Sequence, residues 1–136
     1  MVERRNRHED ALQIGVVELL LYNGYWPVHV PNQGKRSAVG HAMLVKMGLW
    51  PGFPDLIVFG REKSATIVCT IELKRPARAL KRGGVSKAQV KPDARQLQTH
   101  AMLAERQIPT IVARSLDDVL TGMAALGQPM RARVMG

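Results

Sequence analysis

The chain has 136 residues, enough for one domain with its own core and too few for two. A single cysteine, Cys69, excludes an internal disulfide, and no apolar run reaches the roughly 20 residues that span a bilayer. Lys and Arg number 20 against 11 Asp and Glu, a formal net charge of +9, which points to a polyanion such as nucleic acid, since basic side chains that neutralise phosphates release condensed counterions. A ribosomal or anionic membrane surface would suit the same bulk charge. The polar start Met1-Val2-Glu3-Arg4-Arg5-Asn6-Arg7-His8 lacks the apolar segment of a signal peptide, so a soluble cytoplasmic protein is expected.

The first predicted element is a helix over about 6–23, with Leu12, Val16, Leu19 and Leu20 on one stripe and Ile14, Val17 and Leu21 widening it. Gly24 is its natural stop. Tyr25 to Val30 reads as a short strand whose Pro27 suits an edge or a strand start. A glycine-rich, basic stretch over 31–52 follows, with a short helix around Ser37 to Met47, set beside the sheet as a substrate-facing segment. The turn Pro51-Gly52-Phe53-Pro54 then feeds a strand over Asp55 to Phe59, and a loop leads to a longer strand over Ala65 to Lys74. These two strands should pair as an antiparallel hairpin, with Cys69 packed in the second as a small apolar residue.

A basic loop comes next, and Pro92-Asp93 opens a helix that runs to about Arg106. Pro109 to Arg114 makes a fourth strand, and Ser115 caps a last helix with Asp117 and Asp118 in its first turn. The order of main elements is αβββαβα, a single α/β domain over 1–136 whose residues 127–136 read as a basic, fraying tail.

The chemistry sits on two apolar runs. Charged groups are rarely buried unless paired or bound to metal, yet Asp55 opens Leu56-Ile57-Val58-Phe59, and Glu72 and Lys74 end Thr70-Ile71-Glu72-Leu73-Lys74. Side chains alternate faces along a strand, so Glu72 and Lys74 share one face about 6.5–7 Å apart. If the hairpin pairs as expected, the Asp55 carboxylate meets Glu72 across the sheet. Two carboxylates and several waters suit an octahedral Mg²⁺ or Mn²⁺, with Lys74 beside the ion orienting a water or stabilising the transition state. The plain alternative is a turn aspartate and a strand-end ion pair.

Gly52-Phe53-Pro54-Asp55-Leu56 followed by Glu72-Leu73-Lys74 resembles the VRR-NUC branch of the PD-(D/E)XK nuclease superfamily, and the resemblance covers the chain from Glu9 to Leu120. It implies a restriction-endonuclease-like fold, with a mixed central sheet flanked by helices, and a Mg²⁺- or Mn²⁺-dependent DNA endonuclease directed at branched DNA such as Holliday junctions or flaps. Asp55, Glu72 and Lys74 take the catalytic positions, and Asp55 and Glu72 are also metal ligands. The resemblance adds Glu9 as a further ligand, placed before Leu12-Gln13 in the first helix. Glu9 also completes a capping box with Asn6, and Glu18 is the alternative acid. The resemblance also implies a catalytic glutamine after the E-x-K strand, expected at Gln96, with Gln89 competing across a short insertion between Gly84 and Pro92.

Lys35, Arg36, Lys46, Arg75, Arg78, Lys81, Arg82 and Lys87 are the candidate phosphate contacts. His29, His41 and His100 read as ordinary polar residues, because no Cys/His spacing suggests zinc. The resemblance also implies a phage or mobile-element protein acting as a homodimer, since a four-way junction presents two symmetric scissile positions. No membrane partner and no nucleotide cofactor are expected. The rival function is a non-catalytic basic module that binds nucleic acid on the same fold.

Overall fold

In the computed structural model the described residues are 7–31, 38–62, 66–76 and 91–132. The chain runs through α1 (Arg7–Tyr22), β1 (Trp26–His29), α2 (Ala38–Lys46), β2 (Leu56–Phe59), β3 (Ile67–Leu73), α3 (Ala94–Glu105), β4 (Thr110–Ala113) and α4 (Leu116–Ala125). The strands make one four-stranded sheet in the order β1-β2-β3-β4. β1 and β2 pair antiparallel, as do β2 and β3, whereas β3 and β4 are parallel. Parallel neighbours need a crossover, and α3 lies within it. The result is an α/β fold with a mixed sheet flanked by helices. Pro27 sits in β1 at the sheet edge, where a missing N–H costs no ladder bond.

Strand alternation separates two faces. Leu56, Val58, Cys69, Ile71, Leu73, Ile111 and Ala113 turn to one side and bury against Val16, Leu19 and Leu20 of α1 and Val119 and Met123 of α4. Cys69 lies against Met123 with its Sγ 3.8 Å from the thioether sulfur, and burial pushes its thiol up to about 12, so it packs as a neutral apolar group. α4 can approach β4 closely because Gly122 presents no side chain: a Cβ there would lie 2.8 Å from the Ile111 methyl. On the opposite face Thr70 and Thr110 share a hydroxyl hydrogen bond of 2.7 Å, Glu72 follows on β3, and α3 covers them.

The helix ends follow local chemistry. Asp93 accepts from the Gln96 N–H while the Gln96 Oε1 accepts from the Asp93 N–H, a closed capping box at the start of α3. Ser115 caps α4 by accepting from the Asp118 N–H. Gly24, at φ +85°, takes the left-handed conformation that ends α1.

Two expectations change. The apolar stripe of α1 is narrower than its composition implies, since Ile14 and Leu21 stay exposed while Val16, Leu19 and Leu20 are buried. The end of the chain does not fray from 127: Asn23 donates from Nδ2 to the Arg131 carbonyl and accepts the Arg131 N–H, and the Tyr25 hydroxyl donates to Gln128 Oε1 at 2.6 Å. Leu126 and Met130 also pack against the core, so 127–132 belong to the fold, and 133–136 lie outside the described residues. No helix of the described residues is long and apolar enough to cross a membrane.

The turn before β2 is fastened to α3 by a glycine. Gly52 has φ +89°, and a Cβ there would fall 3.2 Å from the Arg95 carbonyl carbon and 2.9 Å from its Cγ. Gly48, at φ +109°, has open space around the same position. Gly52→Ala therefore combines backbone strain with a backbone collision and should lower stability by about 1–3 kcal/mol, beyond the loss from Gly48→Ala. Urea midpoints of the two variants check this; equal losses would show that the α3 contact is immaterial.

Candidate active site

The β2–β3 register builds the site. Leu56 pairs with Ile71 and Ile57 with Thr70, so continuing the ladder by one step sets Asp55 level with Glu72. Asp55 lies in the bend one residue before β2 rather than on its first rung, yet it is held from two sides. Its carbonyl accepts the Val30 N–H at 2.8 Å, and its Oδ2 accepts the Leu73 N–H at 2.7 Å. Pro54, fully buried, and the Gly52 contact with α3 fix the approach of the chain.

Glu72 is 3% exposed on a strand whose residues from Cys69 to Leu73 are all buried. Burial, then the charge of Asp55 and a carboxyl–carboxyl hydrogen bond to it, raise the Glu72 carboxyl from its ordinary 4.5 to about 9. Lys74 pulls in the opposite direction, and Asp93 adds a smaller upward push. At neutral pH without a cation the pair therefore keeps a proton between its two carboxyls. Lys74 is 8% exposed, lies two positions along the strand on the face of Glu72, and ties its own N–H to the Ala113 carbonyl at 2.9 Å.

α3 contributes a residue that the sequence reading treated as ordinary. His100 Nε2 lies 3.3 Å from Glu72 Oε1, and burial, followed by the Lys74 charge, lowers its pKa. The imidazole is thus neutral near pH 7 and orients the Glu72 carboxyl. A sequence signal existed, because His100 falls one helical turn after Gln96 and so shares its face.

The remaining candidates divide. Gln96 is half-buried at the start of α3, with its Oε1 engaged by Asp93 rather than by the carboxylates. Glu18 is exposed on α1. Glu9 lies within α1, but its side chain is outside the described residues, as are Gln89, Lys35, Arg36, Arg78, Lys81, Arg82 and Lys87. Lys46 is exposed at the end of α2. Arg75, directly after Lys74, is half-buried, and its Nε is the buried side-chain polar atom that finds no hydrogen-bond partner among the described residues. His29 accepts or donates a 2.8 Å bond with Gln13, away from the pair, and His41 is exposed on α2.

Asp55 and Glu72 supply two carboxylates for a divalent cation. No arrangement of three or more His, Cys, Asp or Glu side chains able to hold a metal is present among the described residues. Mg²⁺ is commonly held by one or two carboxylates with waters completing its shell, so the donor chemistry fits. No family model, no curated protein and no solved structure matches this chain.

The raised Glu72 pKa sets a pH dependence. The folded chain binds the extra proton between about 4.5 and about 9, so metal-free stability falls as pH rises through that window. Glu72→Gln stays neutral and should give a flatter profile, overtaking the wild type toward pH 9 in EDTA. Parallel urea midpoints for the two proteins from pH 5 to pH 9 would contradict the assignment of a raised proton affinity to Glu72.

Proposed function

We propose that the chain is a Mg²⁺- or Mn²⁺-dependent DNA endonuclease of VRR-NUC type, cutting branched DNA such as Holliday junctions or flaps. The observation that carries the proposal is the pairing of buried Glu72 with half-buried Asp55, with buried Lys74 on the same face as Glu72. Two carboxylates forced to share a proton destabilise the metal-free fold above neutral pH, and a divalent cation removes that cost. A purely structural role would be served better by apolar residues at these positions.

Asp55 and Glu72 would hold the ion, which when bound supplies Lewis acidity toward the phosphate and lowers the pKa of a coordinated water. The Leu73 N–H keeps the Asp55 carboxylate aimed, and His100 keeps Glu72 in place. Lys74 offers its ammonium to the attacking water or to the negative charge that builds on the phosphorus oxygens. Arg75, whose Nε has no hydrogen-bond partner among the described residues, offers a donor to a neighbouring phosphate oxygen. Lys46 and the basic residues of 35–36 and 78–87 would track the backbone without reading bases. A homodimer would match the two symmetric scissile positions of a four-way junction.

The test incubates the protein with four-way junctions, flaps, duplex and single-stranded DNA in Mg²⁺, Mn²⁺ and EDTA. Cleavage should require the metal, favour branched substrates, and fall about 10²–10³-fold in Lys74→Ala and at least as far in Asp55→Asn. Cleavage that survives both substitutions would remove these residues from the site. Salt-sensitive binding with no cleavage of any substrate would make the chain a binding module.

A further inference from the structure

We propose that the groove between Trp50 and α3 is a stacking pocket for one unpaired nucleobase, beside the carboxylate pair; this rests on the reading of the chain as acting on DNA. The groove is about 300 Å³ and is lined by Trp50, Phe53, Thr99, Met102, Leu103 and Arg106. That volume is at the small end of ligand pockets, which run from about 300 to 1,000 Å³. Its floor is apolar, and among the described residues its one charged lining residue is an arginine.

Trp50 is the centre of the argument. The residue is 50% exposed, yet the indole N–H donates to Thr99 Oγ1 at 3.1 Å, and that hydroxyl donates to the Arg95 carbonyl at 3.0 Å. The indole is therefore fixed before any ligand arrives, so stacking on it costs little further rotamer freedom. Gly52, packed on the Arg95 backbone, fastens the same loop to the same helix and keeps the groove open. Arg106 uses one guanidinium nitrogen to bind the Met102 carbonyl at 2.8 Å, and its other donors are left at the rim.

An aromatic face with a guanidinium at its edge suits a base carried on an anionic backbone. The +9 charge attracts that backbone, the ring accepts any base because every base has a π face, and arginine adds a cation–π contact. Position supports the same occupant. Thr99 lines the groove, and the next residue, His100, touches Glu72, so a base stacked on Trp50 would belong to a nucleotide close to the phosphate at the carboxylates. Val39 and Met43 on α2 and Met47 just after it expose apolar side chains nearby in the chain, which makes a second copy of this chain the rival occupant.

The experiment uses the full chain in a Trp26→Phe background, where Trp50 is the sole tryptophan, in EDTA. Oligothymidylate should quench Trp50 fluorescence saturably, whereas an oligomer of abasic sugar phosphates should not. In the otherwise wild-type chain Trp50→Ala should weaken oligothymidylate binding by on the order of tenfold and leave abasic binding unchanged, while Trp50→Phe, which keeps an aromatic face, should restore most of it. Circular dichroism confirms that each variant folds, and Trp50→Phe serves if Trp50→Ala does not. Equal affinity for the two oligomers with no quenching would overturn the pocket. So would a Trp50 signal that follows protein concentration alone, together with a smaller particle in Trp50→Ala, which would assign the groove to a second copy. Quenching without cleavage leaves the pocket and sinks the endonuclease; cleavage without quenching does the reverse.

Discussion

The antiparallel register of β2 on β3 is the constraint on which the site depends. Pairing Leu56 with Ile71 carries the ladder one step onward to Asp55 and Glu72, and both strands are locked by an apolar face that buries Leu56, Val58, Cys69 and Ile71. A slip of one residue would turn that apolar set toward the opposite face, so the register resists change through the hydrophobic effect. The carboxylates are thus opposed by the packing of apolar residues that carry no charge themselves.

What the packing imposes is electrostatically unfavourable, and the surroundings show how it is contained. The Asp55 carboxylate accepts one main-chain donor, the Leu73 N–H, while the Asp55 carbonyl accepts the Val30 N–H just after β1. Glu72 lacks an equivalent main-chain donor in the described contacts; it leans on His100 and on the charge of Lys74, and burial drives it toward the protonated form. The asymmetry gives two chemically similar groups different surroundings: the Asp55 carboxylate accepts a main-chain N–H, whereas burial and the Asp55 charge favour the protonated form of Glu72.

α3 joins this centre to its surroundings. Its capping box fixes Asp93 and Gln96 at one end, His100 reaches the pair, and Thr99 binds Trp50 on the adjacent side. Gly52 brings the loop that leads into Asp55 against the backbone of the same helix. One helix therefore positions the carboxylate neighbour, the entering loop and the aromatic groove together, and a disturbance at Gly52 reaches all three.

Much was legible from sequence alone, because it rests on local chemistry. The eight elements stand close to their expected limits, since apolar periodicity, Asp93 and Ser115 as caps, and Gly24 as a stop act over a few residues. Asp55, Glu72 and Lys74 were readable as one group once the two runs were taken as a hairpin, since period-two alternation fixes which side chains share a face. The tertiary structure decided what depends on residues distant in the chain. It buried Glu72 and set its proton affinity, brought His100 against it across the crossover, and occupied Gln96 in a cap. It also tied Arg131 to Asn23, and placed Trp50 on Thr99. Burial and cross-chain contact are properties of the packed whole, and of these only the place of His100 one turn after Gln96 leaves a local trace in the sequence.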